Sequence, residues 1–356
     1  MIDSHVHLRW PHDIENLDII RESVGAERMC IASVADRQDI NDNPALYAAK
    51  AAFPGRFYVF PALDHASYFS SGAIKTPSLV EQIDRAIEIG ADGIKLIEAK
   101  PTHRKMVDLP IDGEHYEAMF RRIEEAGLPM LWHVADPEEF WYPELTPGWA
   151  SAKGWGYDST WPSKERFYKE VSSVLKRHPR LKVIFAHFYF LSADLSRAAT
   201  LFEEHQGVHF DLAPGIEMLY NMSKDPERAR DFFLKYSDRI VFGTDIEASH
   251  TIDEAVKRSR VVIRWLESDD EYRLPDGADY TLGPPEDGII RGMKLPADAL
   301  ERIYSSNFVR LVGAKPRPLN RELAIDECRR ILREIEALGS DPTVVREAIA
   351  RLEGLR

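Results

Sequence analysis

Eight short runs rich in Val, Ile, Leu and Phe recur along most of this chain, and segments with helical spacing of apolar residues separate them. The runs cover residues 2–7, 29–35, 57–64, 93–99, 129–135, 183–188, 208–213 and 240–245. Segments 79–89, 116–125, 167–177, 195–204 and 228–236 carry the helical spacing. Strands alternating with helices build a parallel sheet with right-handed crossovers, because a parallel neighbour is reached only across a face of the sheet. Eight such units predict an α/β fold of the closed (β/α)8 barrel type. An open doubly wound sheet is disfavoured, since no Gly-x-Gly-x-x-Gly turn follows the first run. The barrel domain is expected over 1–315, followed by a helical C-terminal extension, 316–356. Within the extension, 323–337 and 343–355 look like charged amphipathic helices. They suit outer packing or a subunit contact, so a homodimer is compatible with them.

At 356 residues, 44% of them apolar, the chain can bury a core of this size. No stretch approaches the ~18 uninterrupted apolar residues of a membrane span. The net charge of −13 disfavours a nucleic-acid or anionic membrane partner, and leaves a small molecule as the expected one. Cys30 and Cys328 lie too far apart in sequence to suggest a framework of disulfides or a cysteine metal site. No targeting segment precedes the first run, and the cytoplasm is the expected location.

Metal-competent side chains interrupt the apolar runs near their C-terminal ends. Asp3-Ser4-His5-Val6-His7 forms the first run, and alternation on a strand predicts that Asp3, His5 and His7 share a face. His133 follows Met130-Leu131-Trp132, His187 follows Val183-Ile184-Phe185-Ala186, and Asp245 closes Val241-Phe242-Gly243-Thr244. The C-terminal ends of the strands are where such a barrel carries its chemistry. Any one buried His or Asp is ordinarily a hydrogen-bonded core residue, but five on one rim call for a ligand. Imidazole nitrogens with a carboxylate suit zinc, and also iron or manganese.

The loop 136–163 breaks the regular pattern. It holds Phe140, Trp141, Tyr142, Trp149, Trp155, Tyr157 and Trp161, four of the seven tryptophans of the chain. It is expected to cover the substrate, to form a satellite core, or to do both, with Trp141 as a substrate contact.

These motifs, together with Ser306-Asn307-Phe308-Val309-Arg310-Leu311, resemble the amidohydrolase superfamily, in its amidohydrolase 2 branch. That branch includes aminocarboxymuconate-semialdehyde decarboxylase and related aromatic-acid decarboxylases. The resemblance implies one divalent metal, zinc first with manganese or iron as alternatives, held by His5, His7, His133 and Asp245. His187 is implied as a catalytic neighbour. It also raises Lys95 in the fourth run, where binuclear relatives place a carboxylated lysine between two metals. A role for Lys95 in binding a substrate carboxylate, or in a structural ion pair, is preferred here to the binuclear option.

Such a centre lowers the pKa of bound water towards ~7. Asp245 is then expected to accept the water proton and His187 to polarise the substrate. The function expected first is a metal-dependent hydrolase of a small organic substrate. The alternatives are a non-oxidative decarboxylase of an aromatic or unsaturated acid, and a non-catalytic barrel that only binds. Arg37, Arg9 and Arg104 are further candidates for a carboxylate clamp, with Arg37 preferred. His209 and Asp211 share a face of the seventh run and are expected to make ordinary core hydrogen bonds, with support of the ligands as the alternative. His65 and His250 are expected to be loop histidines, with a place at the mouth as the alternative, and Asn307 to be a helix N-cap.

Overall fold

The computed structural model describes residues 1–35, 40–69, 74–214, 217–274 and 288–354. The barrel strands are β1 (Ile2–His7), β2 (Arg28–Ala32), β3 (Phe57–Phe60), β4 (Ile94–Ala99), β5 (Pro129–Val134), β6 (Lys182–Phe185), β7 (Val208–Asp211), β8 (Ile240–Val241) and β9 (Ile246–Glu247), and a separate antiparallel pair joins Glu271–Tyr272 to Ile290–Arg291. The nine barrel strands form two parallel sheets, ordered β3-β2-β1-β9 and β4-β5-β6-β7-β8.

Two seams close these sheets into one barrel. At the first, Ala62 bridges Lys95, and the Lys95 N–H donates to Pro61 O at 2.9 Å. At the second, the eighth run serves both neighbours. Its first part pairs with β7 through Ile240 and Val241, and its last part pairs with β1 through Ile246 and Glu247. Between them the Ser4 N–H donates to Phe242 O and the Asp245 N–H to His5 O, each at 2.9 Å. The single strand expected over 240–245 is therefore divided. Asp245 sits at φ 55°, which turns the chain out of the extended conformation where it changes partner. Gly243 makes the crossing feasible, because a Cβ there would stand only 3.2 Å from His5 Cβ and Ser4 Oγ.

The strict alternation expected along β1 also fails. Its register against β2 shifts between Asp3 and Val6. Ile2 packs inside the barrel with Cys30, Tyr58 and Val241, whereas Val6 packs outside with Leu8, Ile14 and Leu17. One shift of this kind moves the later side chains to the other face. Asp3 is thereby separated from His5 and His7, and it bonds instead to the Thr244 hydroxyl at 2.6 Å and to the His5 N–H at 3.2 Å.

The apolar interior fills one end of the barrel, where Phe308 and Leu311 of the helix Asn307–Val312 join Ile2 and Tyr58. Asn307 is not the expected cap: its Nδ2 donates to Ser237 O and Ile240 O, both at 2.7 Å, and so pins that helix to the start of β8. Polar residues are left to the other end.

Outside the barrel, helices Leu79–Ile89 and Leu195–Glu204 occupy the expected spans. The first begins with a capping box between Ser78 and Glu81 and ends at Gly90, φ 100°. A Cβ on Gly90 would meet Pro318 O at 2.1 Å, so the extension lies directly on this helix end. Helices Arg321–Leu338 and Thr343–Glu353 pack beside helix Asn43–Ala52. Their Cys328, Ile331, Val345 and Leu352 share one buried cluster with Leu17 and Ala45, so the extension forms part of the outer layer. Among the described residues no helix is long and apolar enough to cross a membrane.

Candidate metal centre

At the polar end of the barrel, β1 presents His5 and His7 towards Asp245 from the eighth run. Their Nε2 atoms lie 3.1 Å apart, and Asp245 Oδ1 lies 3.1 Å from His7 Nε2 and 3.6 Å from His5 Nε2. The opposite ring nitrogens are held from behind. His7 Nδ1 faces the carbonyl of Ala32 at 2.8 Å, and a carbonyl only accepts, so Nδ1 carries the proton. His5 Nδ1 faces Asp211 Oδ2 at 2.8 Å and donates to it when Asp211 is a carboxylate, the form that the Lys95 charge and the N–H groups of His187 and Ala213 favour against its burial. Both Nε2 lone pairs, and a carboxylate oxygen, then converge on one spot with no proton of their own between them.

That arrangement repels itself unless a cation lies among the three. The separations match the edge of a tetrahedron, about 3.3 Å for bonds of ~2.0–2.1 Å to zinc. Among the described residues this is the one group of three or more His, Cys, Asp or Glu with mutually close ligand atoms. The residues fit a divalent cation. Lys95 also responds to this electron-rich spot, with its Nζ 3.1 Å from His5 Nε2. Burial pushes its ammonium down to about 8 and the Asp211 carboxyl up to about 8, while each charge favours the other. Burial and the Lys95 charge hold His5 well below the ordinary imidazole range, in the neutral form that a metal needs.

His133 stands next to this group but outside it. Its Nε2 pairs with Asp136 Oδ1 at 3.0 Å, and its ring meets that of His187 at 4.9 Å between centroids. Tyr157 from the aromatic loop donates its hydroxyl to the other oxygen of Asp136, at 2.5 Å. The chain from Tyr157 through Asp136 to His133 fixes the ring as a metal-binding or acid–base histidine requires.

His187 lies beyond the end of β6, in a turn rather than on the strand. His187, Phe188, Tyr189 and Phe190 all have φ between 50° and 57°. Left-handed residues cost roughly 1–2 kcal/mol each, so the turn holds strain of about 4–8 kcal/mol. Burial of Phe188, Tyr189 and Phe190 offsets it, as do bonds from the His187 N–H to Asp211 Oδ1 at 2.7 Å and from the Tyr168 hydroxyl to Tyr189 O at 2.9 Å. The His187 ring stands 5.3 Å from that of His5. Its Nδ1 faces Ala213 O at 3.3 Å, which leaves Nε2 as an acceptor, and burial lowers its pKa to about 3.

A cavity of about 440 Å³ opens above these groups. His5, His7, Lys95, His133, His187 and Asp245 all border it, so six of the sequence candidates meet in one place. Phe140, Trp149, Trp155 and Phe190 give it aromatic walls. Trp141 is not among them. Its indole N–H donates to Pro162 O at 3.1 Å, and its ring packs on Tyr157 in a small core with Trp149, Trp155 and Trp161. The loop is thus both a satellite core and a cavity wall. Arg37 lies outside the described residues, and Arg104 is turned away to Asp108. Arg9 and His250 border the cavity.

The model of the family described as Amidohydrolase matches residues 2–314. The chain belongs to the amidohydrolase family. It is an enzyme of the amidohydrolase 2 branch, as its motifs implied, and its barrel recurs in solved structures of low identity. A 2,6-dihydroxybenzoate decarboxylase from Rhizobium is 16% identical, with a TM-score of 0.52 over 87% of this chain and 98% of that one. A dihydroxybenzoic acid decarboxylase from Polaromonas sp. JS666, solved with bound manganese and 2-nitroresorcinol, is 15% identical, with a TM-score of 0.51 over 87% and 96%. A 4-oxalomesaconate hydratase from Rhodopseudomonas palustris is 13% identical, with a TM-score of 0.50 over 95% and 98%. No curated protein matches the chain.

Sequence reasoning undervalued Asp211, for which it preferred ordinary core bonding to the support of a ligand that its bond to His5 gives. The signal was present: Val208-His209-Phe210-Asp211 ends in a carboxylate like the eighth run. Asp136 and Tyr157 lay in a loop whose aromatic density masked their hydrogen bonds.

Proposed function

We propose that this amidohydrolase-family enzyme hydrolyses a small organic substrate at one divalent metal ion held by His5, His7 and Asp245. His133, which borders the same cavity, would be the fourth donor, and its Nδ1 is the nitrogen that Asp136 leaves unengaged. Zinc suits this set of imidazoles and carboxylate best, and manganese is the substitute that the bound ion of the Polaromonas decarboxylase makes relevant. The observation that carries the reading is the convergence of three unprotonated acceptors, two of them imidazoles whose other ring nitrogens are tied back. When bound, such an ion supplies a Lewis acid and water acidified towards ~7.

The chain's own groups do the rest. Asp245 would hold the ion through its carboxylate, which is also placed to take a proton and return it to a leaving group. His187, neutral and with Nε2 as acceptor, orients the attacking water rather than donating to the substrate. The aromatic walls exclude water around a flat substrate. Decarboxylation is the second reading, and Lys95, Lys100, Lys153 and Arg258 around the cavity favour it, since they suit an acid. Product analysis separates the two. The metal-loaded enzyme should release acid from esters, lactones or amides of aromatic acids, seen as proton release at constant pH for esters and lactones and as liberated amine for amides. Carbon dioxide from a hydroxybenzoate with no such hydrolysis would overturn the hydrolase reading.

A further inference from the structure

The cavity contains two charges that the proposed chemistry leaves unused. Lys100 follows directly on β4, the strand that carries Lys95, and Lys153 comes from the aromatic loop; both border the cavity. Each ammonium lies over the same indole, Lys100 Nζ at 4.5 Å and Lys153 Nζ at 4.9 Å from the Trp155 ring centroid. The acidic groups that border this cavity are already engaged. Asp245 faces His5 and His7, Asp136 is held by His133 and Tyr157, and Glu247 lies 3.8 Å from Arg9. Among the described residues neither lysine forms an ion pair.

Two like charges on one ring raise the local potential, and a cavity wall of low polarity strengthens it. A cation over the face of an indole leaves the ring edge, which is electropositive, to an anion. An anionic group beside Trp155 would therefore meet both ammoniums and the edge of the ring. The cavity volume of about 440 Å³ suits a ligand of small-molecule size.

We propose that the substrate is a flat organic compound with its reacting carboxyl derivative at the metal centre and an anionic group between Lys100 and Lys153 beside Trp155; in the acids used as probes below, a carboxylate stands in for the reacting group. The inference rests on the metal-centred reading above and adds the substrate class. A reaction that feeds this enzyme must then deliver a small, unsaturated or aromatic compound that carries an acidic group besides the group that reacts.

The test compares benzoate with the three benzenedicarboxylates and with 3-phosphonobenzoate, by titration calorimetry on the manganese-loaded protein. Wild type is set against Lys100→Met, Lys153→Met and the double variant. At least one two-anion probe should bind about tenfold tighter than benzoate at low salt, as expected for one half-buried and one exposed charge pair acting together. That ratio should shrink as salt rises and fall to within about twofold in the double variant. A stronger gain for the phosphonate than for every dicarboxylate would assign the second group to the phosphate-like class. The proposal is overturned if no two-anion probe exceeds benzoate threefold, if none of the probes binds, or if the advantage survives loss of both lysines. His5→Ala distinguishes the two levels. A lysine-dependent advantage that persists in this variant without metal keeps the clamp and removes the metal-anchored reading. Metal-dependent benzoate binding with no two-anion advantage does the reverse.

Discussion

At the scale of single residues, the centre depends on which nitrogen of each histidine carries a proton. His5 and His7 offer Nε2 because Asp211 and the Ala32 carbonyl take Nδ1–H. Asp211 also accepts the backbone N–H groups of His187 and Ala213, at 2.7 and 3.1 Å, so one carboxylate orients a ligand and the strained turn together. Asp211→Asn should lower metal affinity by about 10–100-fold while the fold persists, the usual cost of removing such a partner. Competition with a chromophoric chelator, with circular dichroism as the control, checks this. Unchanged affinity would show that the Asp211 bond does not matter to the centre. The ligand types were legible in the sequence because polar residues stand out in apolar runs. The tautomers were not, since Asp211 is 206 residues away from His5 and only barrel closure brings them together.

At the scale of elements, eight strands were legible from composition and spacing, but their irregularities were not. The shift inside β1, the divided eighth strand and the left-handed turn after β6 all lie where the candidate site is built. Periodicity describes regular backbone, and these segments depart from it to aim His5, Asp245 and His187 into one cavity. The aromatic loop joins them through Tyr157. In Tyr157→Phe the buried Asp136 loses a donor at 2.5 Å, an expected cost of about 1–3 kcal/mol. Urea unfolding should show that loss together with a lower turnover, because His133 is held less firmly. A variant as stable and as active as wild type would contradict the role given to this bond.

At the scale of the whole molecule, the extension was expected as an appendage, yet its helices complete the outer layer around β1 to β3. Amphipathic spacing revealed their apolar faces, while the partner surface, helix Asn43–Ala52, lies more than 260 residues earlier in the chain. Global stability also carries a pH dependence away from the metal. Glu217 is buried with Oε2 unpartnered, and burial raises its pKa from 4.5 to about 7. From about pH 4.5 to 7 the unfolded chain has lost this proton and the folded one keeps it, so stability falls as pH rises through that window. Glu217→Gln should remove that slope, worth at most about 3 kcal/mol, and be relatively more stable at pH 8 than at pH 5. Chemical unfolding at both values checks it, and parallel pH profiles for the two proteins would refute it.

The central claim is that His5, His7 and Asp245 hold a metal ion. Elemental analysis of the purified protein tests it most directly, alongside His5→Ala and His7→Ala variants shown to be folded. The account predicts about one equivalent of zinc, manganese or iron in wild type and less than about a tenth in each variant, with added metal raising the wild-type melting temperature alone. Wild type that neither retains nor responds to metal, or variants that keep a full equivalent, would contradict it.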